Sequence, residues 1–220
     1  MARTQSKSYP EIRDGILKSA ARLFAAKGYP NTSIVDLAEA CNSSRGALYH
    51  YFESKEQILL AILETHLETV LGELSAIASR RADALDNLRA LVRRLMLLNS
   101  QNQAEQITLL NEANQLDEAA RARIAGKQRE IVDLFVAALS RLDAQQRMTP
   151  ARRKAYGMML LGALNYTYAW YDPQGAVTPE AYADMTLDAF VGGFVNPQAQ
   201  QAQAQAPAKT ARRQTRKEIV

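Results

Sequence analysis

An all-α fold follows from three observations on the 220-residue chain. Apolar residues recur at spacings of three and four along most of its length. Ser, Thr or Asp stands ahead of several of these runs, where a helix needs a cap. No alternating strand run or hairpin signal interrupts them. The composition agrees: 47% hydrophobic residues, with only 10 glycines and 7 prolines, and a bias toward Ala, Leu, Gln and Arg, which are good helix formers.

The first helix is expected over about 11–27. Ile12, Ile16, Leu17, Ala20, Leu23 and Phe24 form its stripe, and Lys27-Gly28 supplies a basic last turn and a C-terminal glycine. Ser33 with Asp36 three residues on reads as a capped start for a short helix carrying Ile34, Leu37 and Ala38, which ends near Cys41-Asn42. Asn42 tolerates a left-handed turn, and Ser44 offers a fresh cap for a third helix, Arg45–Tyr51. Ser54-Lys55-Glu56-Gln57 matches a capping box and opens a long fourth helix to about Ser79, with Ile58, Leu59, Ile62, Leu63, His66, Leu67 and Val70 on its apolar side. Further helical segments are expected at roughly 82–101, 103–114, 117–143, 150–171 and 178–194. The last is announced by Thr178-Pro179, a cap followed by proline at the first helical position. Residues 196–220 are rich in Gln, Ala and Pro and end in a basic run; they are expected to be a disordered basic tail, because they hold too few large apolar side chains to offset ordering entropy.

Composition also narrows the function. The lone Cys41 excludes an intramolecular disulfide framework, and no Cys/His set has zinc-ligand spacing. No metal or cofactor is called for. The N-terminus lacks the apolar segment of a signal peptide, and no stretch approaches 18 uninterrupted apolar residues, so the expectation is a cytoplasmic protein with no membrane partner. The net charge is +4, divided as +2 over residues 1–60, −2 over 61–195 and +4 over 196–220. An enzyme is disfavoured: there is no glycine-rich phosphate loop and no nucleophile elbow, and only His50 and His66 could serve as imidazole bases.

Two short helices separated by Cys41-Asn42-Ser43 and propped by a longer one suit a helix-turn-helix whose second member enters a DNA major groove. Ser44 and Arg45 at the start of that member offer backbone N–H groups, a hydroxyl and a guanidinium to phosphates and base edges. Gly46 and Ala47 permit close approach, and Ala47 can touch a thymine methyl. Tyr49, His50, Tyr51 and, on the next helix, Lys55 add polar groups, while Thr32 and Ser33 lie where a phosphate would pass. Tyr49 is as well suited to packing between helices as to phosphate contact. Cys41 reads as a turn-packing residue rather than a redox sensor.

The stretch from Gly28 through Thr32-Ser33, Leu37-Ala38, Gly46-Ala47-Leu48-Tyr49 and Phe52-Glu53-Ser54-Lys55-Glu56 resembles the DNA-binding domain of the tetracycline-repressor (TetR) family over about residues 11–60. The family usually has glycine in the turn with an aliphatic residue after it, where this chain has Asn42-Ser43, a departure expected to loosen the turn. The resemblance implies a ligand-responsive transcriptional regulator, usually a repressor. It would be a homodimer with a DNA-binding domain at 1–60 and an effector-binding and dimerisation domain at 61–195, bound to double-stranded operator DNA and released by a small molecule. By position, Arg45, Ala47 and His50 would face bases; Thr32, Ser33, Ser44, Tyr49, Tyr51 and Lys55 would face phosphate or sugar; Leu37, Ala38, Leu48 and Phe52 would form a small core. On DNA the protein would be associated with the bacterial nucleoid.

The segment from Asn165 through Trp170-Tyr171 to Asp172-Pro173-Gln174-Gly175 is similar to a TetR subgroup that controls acyl-CoA-linked catabolism, which implies an acyl-CoA or an organic acid as effector. His66, Arg93, Met96, Asn99, Phe135, Met158, Asn165 and Trp170 are the candidate cavity residues, with Arg94 and Arg129 as further partners for an anion. Each has a plainer reading. His66 suits a satisfied buried histidine, the asparagines suit exposed helix positions, and Met158 with its neighbours suits packing or the four-helix dimer contact that the family builds from its last two helices. A drug-like hydrophobic effector, or a dimeric DNA-binding protein with no effector, are the alternatives.

Overall fold

The computed structural model describes residues 9–143 and 148–195, which are helical throughout apart from short connections. The helices are α1 (Tyr9–Lys27), α2 (Ile34–Ala40), α3 (Arg45–Tyr51), α4 (Lys55–Ala78), α5 (Ala84–Gln101), α6 (Gln103–Glu112), α7 (Glu118–Leu142), α8 (Pro150–Asn165) and α9 (Pro179–Val195). The expected tail at 196–220 lies outside the described residues.

The caps explain the boundaries. The Ser33 hydroxyl accepts from Asp36 N while Asp36 Oδ2 accepts from Ser33 N at 2.7 Å, a reciprocal box that opens α2. Ser44 and Ser54 cap α3 and α4 by accepting from Ala47 N and Gln57 N, both at 3.1 Å. The returning arm at Ser54 lands one residue early, with Gln57 Oε1 accepting from Glu53 N. Asp83 accepts from Leu85 N at 2.8 Å and sets the start of α5 at residue 84 rather than 82. The expected helix over 150–171 is shorter. Thr167 donates its hydroxyl to Leu164 O at 2.6 Å, and α8 gives way at Asn165 to a 3-10 turn, Tyr166–Ala169.

The α2–α3 turn corrects one expectation: it is closed, not loosened. Asn42 adopts φ 49°, Asn42 N donates to Glu39 O at 3.0 Å and Ser43 N donates to Ala38 O at 2.9 Å. This is the paired hydrogen-bond arrangement that normally ends a helix with glycine, and asparagine fills it because its short polar side chain tolerates the left-handed region.

Around this turn Leu37, Ala38, Leu48 and Phe52 are buried with Ile16, Leu17, Ala20, Ala21 and Phe24 of α1, as the sequence implied. The same core runs without a break through Ile58, Leu59, Ile62 and Leu63 of α4 into the larger bundle of α4 to α9. Helix α6 lies across α1. The Thr108 hydroxyl is 3.3 Å from Ala21 O, the Glu112 carboxylate stands beside Gly28, and Asp117 N donates to Glu56 Oε1 at 3.0 Å. Between α7 and α8 the contact is intimate at Gly157, where an added Cβ would sit 2.7 Å from Val136 Cγ2. Helices α5 and α9 are tied by Arg89 and Arg93, which both bond Asp184, and by Arg89 with Asp188. The Arg93 guanidinium, helped by Arg89, holds the Asp184 carboxyl down at about 2.

Candidate nucleic-acid interface and effector cavity

Helix α3 buries only Leu48 and leaves Arg45, Gly46, Tyr49 and His50 exposed along one side, with Ser44 exposed at its cap. Ser44 Oγ accepts from Ala47 N, and its O–H is not used in that bond and is available as a donor. An added Cβ at Gly46 would meet nothing closer than Ser44 Oγ at 3.9 Å, so the surface there is low and open. Ala47 is half-buried behind it. Tyr49 is 52% exposed, which separates it from its packing alternative. The far end of α3 carries a feature not legible in the spacing of apolar residues. Tyr9 of α1 stacks on Tyr51 at 4.6 Å between ring centroids, and the His50 ring stands edge-on to both. The N-terminus of α1 is thereby fixed against the end of α3.

Three of the expected phosphate-facing groups are occupied inside the protein. Thr32 is buried and donates its hydroxyl to Gly28 O at 2.8 Å. Lys55 Nζ donates to Tyr29 O at 2.9 Å and Thr32 O at 2.8 Å and sits over the Tyr29 ring. It therefore ties α4 to the α1–α2 connection. Ser33 gives its hydroxyl proton to Asp36 Oδ2 at 2.6 Å, and these bonds, with Lys27, hold the Asp36 carboxyl well below the usual range. Cys41 is half-buried, and burial pushes its thiol up, away from the thiolate form a redox sensor needs.

A cavity of about 750 Å³ lies between α4, α5, α6, α7 and α8. Among the cavity candidates, His66, Asn99, Met158 and Asn165 line it, as does Arg129. Four do not. Met96 and Phe135 are fully buried in the core, Arg93 is engaged by Asp184, and Trp170 is exposed, packed on Tyr171 and Tyr182. Arg94 is likewise engaged, by Glu73. The walls are apolar, from residues such as Leu67, Val70, Leu95, Ile131, Val132 and Leu161. The inner end is polar and connected: His66 Nε2 meets Gln106 Oε1 at 3.0 Å, Gln106 Nε2 donates to Asn165 Oδ1 at 3.4 Å, and Asn99 Nδ2 donates to Asn165 Oδ1 at 3.3 Å. Burial pushes the His66 imidazole down toward its neutral form. Gln106 escaped the sequence reading, although a glutamine on the buried side of an amphipathic helix is a usable signal. Arg153 and Lys154, exposed at the other end of the α8 wall, were missed as well.

A second exposed face is apolar. Met158, Met159, Tyr166 and Trp170 on α8 and the turn after it, with Met185 on α9, are all about half exposed or more. Among the described residues no helix is long and apolar enough to cross a membrane, and no group of three or more His, Cys, Asp or Glu is placed to hold a metal ion.

Residues 16–62 match a family profile described as bacterial regulatory proteins, tetR family, and residues 81–194 match one described as tetracyclin repressor-like, C-terminal domain. The chain is similar to the HTH-type transcriptional repressor KstR2 of Mycolicibacterium smegmatis, with 24% identity over 84% of this chain and 92% of that protein. A TetR-family transcriptional regulator from Bordetella parapertussis superposes with a TM-score of 0.81 at 32% identity, over 86% of this chain and 98% of that one. The crystal structure of AibR in complex with isovaleryl coenzyme A and operator DNA gives 0.72 at 30% identity, over 81% and 97%.

Proposed function

The chain belongs to the tetR family of bacterial regulatory proteins, DNA-binding transcriptional regulators, and on that premise we propose that it is a repressor released from operator DNA by an acyl-CoA or a related organic acid. The observation that carries the effector half is the cavity of about 750 Å³, large enough for a small molecule and closed on one side by α4, the helix that continues from the reading head. AibR, with isovaleryl coenzyme A and operator DNA in one structure, supports the class of ligand.

Residues 1–60 are proposed as the DNA-binding domain and 61–195 as the effector and dimerisation domain, with the apolar face of α8 and α9 buried between two copies. Ser44, Arg45, Gly46, Ala47, Tyr49 and His50 form the DNA-contacting surface in this reading, Tyr51 supports it through Tyr9, and Thr32 and Lys55 act as its internal ties. Two such heads must stand about 34–36 Å apart to enter successive major grooves on one face of DNA. An effector that fits only the conformer with another spacing shifts the population away from DNA; one that fits both equally does nothing.

The test is fluorescence anisotropy with DNA from upstream of the protein's own gene, titrated with short- and medium-chain acyl-CoAs and the free acids. Saturable binding that these ligands reverse is the expected result. Binding that none of them reverses would remove this effector class and leave the DNA-binding role intact.

A further inference from the structure

The cavity carries a cation at each end of an apolar wall. Its lining on α8 runs from Arg153 to Asn165, about 18 Å at the helical rise of roughly 1.5 Å per residue. Arg153 and Lys154 make one end cationic, and Arg129 serves the other. The ion pairs Arg123–Glu64 and Lys127–Glu68, each spanning 59 residues, set α7 parallel to α4 with residue 126 level with residue 67. The Arg129 guanidinium folds back along α7 to 3.9 Å from where a Cβ on Gly126 would stand, which is the level of His66. Helix α8 returns along α7 with Gly157 against Val132 and Val136, and so reaches that level near Asn165. Among the described residues no carboxylate forms an ion pair with Arg129.

The amides at this end are directed. Leu164 O can only accept, so the Asn99 amide that lies 3.4 Å from it presents Nδ2, which also donates to Asn165 Oδ1 at 3.3 Å. Gln106 Nε2 donates to the same Asn165 oxygen, which leaves Gln106 Oε1 to accept from His66 Nε2. Asn165 Oδ1 thus receives two bonds. Asn165 Nδ2 has no partner among the described residues and, unlike Asn99 Oδ1, is not sealed from solvent, so it is a donor on the cavity wall.

We propose that the cavity selects a ligand with a negative group at each end of an apolar chain, one at Arg153 and Lys154 and the other a terminal carboxylate at Arg129 and Asn165 Nδ2. The inference rests on the cavity being the effector site. A carboxylate accepts from the guanidinium and the amide together, and such charge-assisted bonds are stronger than neutral ones. A methyl end would meet both donors with nothing to accept from them. Between the poles Val70, Leu95, Ile131 and Leu161 suit methylenes, and Asp133, exposed on α7 one turn beyond Arg129, opposes a further negative group midway. The class is thus an α,ω-dicarboxylic acid, or an acyl thioester whose chain ends in a carboxylate, rather than an unmodified fatty chain.

Isothermal titration calorimetry of the full chain with dodecanoate and dodecanedioate, and with the coenzyme A thioester of each, tests this. In one pair or both, the member ending in a carboxylate is expected to bind about tenfold more tightly, although it is the more water-soluble. The pair that shows the difference tells whether the free acid or the thioester is the form taken. In Arg129→Gln, with a circular dichroism melt confirming the fold, the difference is expected to disappear. Equal binding, or tighter binding of the methyl-ended member, in both pairs overturns the inference and leaves the effector site standing. A difference that persists in folded Arg129→Gln overturns the assignment to Arg129. Binding of none of the four overturns this inference and the proposed effector class together.

Discussion

Lys55 donates from Nζ to the backbone carbonyl of Thr32 at 2.8 Å, across 23 residues of sequence, while the same ammonium lies over the Tyr29 ring, 4.1 Å from its centroid. Lys55 acts from within the head. Lys55→Met is expected to lower the melting temperature and weaken binding to every operator sequence together. The slope of log K against log salt should stay within error of the unaltered protein, because a phosphate contact is not removed. A slope shallower by about one would instead identify Lys55 as a phosphate ligand.

Arg45 and Tyr49 are both exposed on α3 but should fail differently. Arg45→Ala is expected to cost about 1–3 kcal/mol of discrimination at one or two base pairs and little elsewhere. Tyr49→Ala should weaken operator and scrambled DNA by similar factors. Competition binding against a library of single-base operator variants separates the two patterns.

His66 links stability to pH. Its folded-state pKa lies below the ordinary value of 6.5 because burial penalises the imidazolium. The unfolded chain therefore takes up the proton first as pH falls, and the contribution of His66 is fully present above about pH 6.5 and is lost below it. The melting temperature should drop between pH 7.5 and 5.5 by more than in His66→Gln, whose amide does not titrate in that range. Equal drops in both proteins would remove His66 as the cause.

Met159 is 62% exposed on α8, on the face proposed to pair with a second copy. Met159→Glu places a carboxylate in that contact twice over, and buried unpaired charge is strongly unfavourable. Light scattering at micromolar protein should show monomer in place of dimer, with unchanged helix content. A dimer that survives would move the interface elsewhere.

Much of the fold was legible because its determinants are local. Ser33, Ser44, Ser54, Asp117 and Thr178 each accept a bond from a backbone N–H within the next three residues, so the helix starts could be read from neighbouring letters. Asn42 was legible for the same reason, although its neighbours misled: the comparison with a glycine turn suggested slack where the hydrogen bonds close fully. The site was legible only in part. Arg93 and Arg129 look alike in sequence, and what separates them is Asp184, 91 residues from Arg93, which no local pattern places nearby. Lys55 was read as outward for the same reason, since the carbonyls that hold it belong to the α1–α2 connection more than 20 residues away, whereas the Thr32 bond to Gly28 O, four residues back, was local and was overlooked. Tyr9 lies ahead of the first expected stripe, and its value depends on the rings of His50 and Tyr51.

The placement of α6 across α1 bears on how this protein can be recombined. Thr108 at Ala21, Glu112 beside Gly28 and Asp117 on Glu56 form a seam between segments on opposite sides of residue 60. A chimera spliced at that residue, carrying a foreign reading head, would keep its chain connection and lose the seam. Such a hybrid should bind DNA yet ignore its inducer unless the facing residues of α6 are transplanted with the head. The same matching would oblige α1 and α6 to drift in concert, so that exchanging operators between relatives takes paired substitutions on two helices rather than new letters in α3 alone.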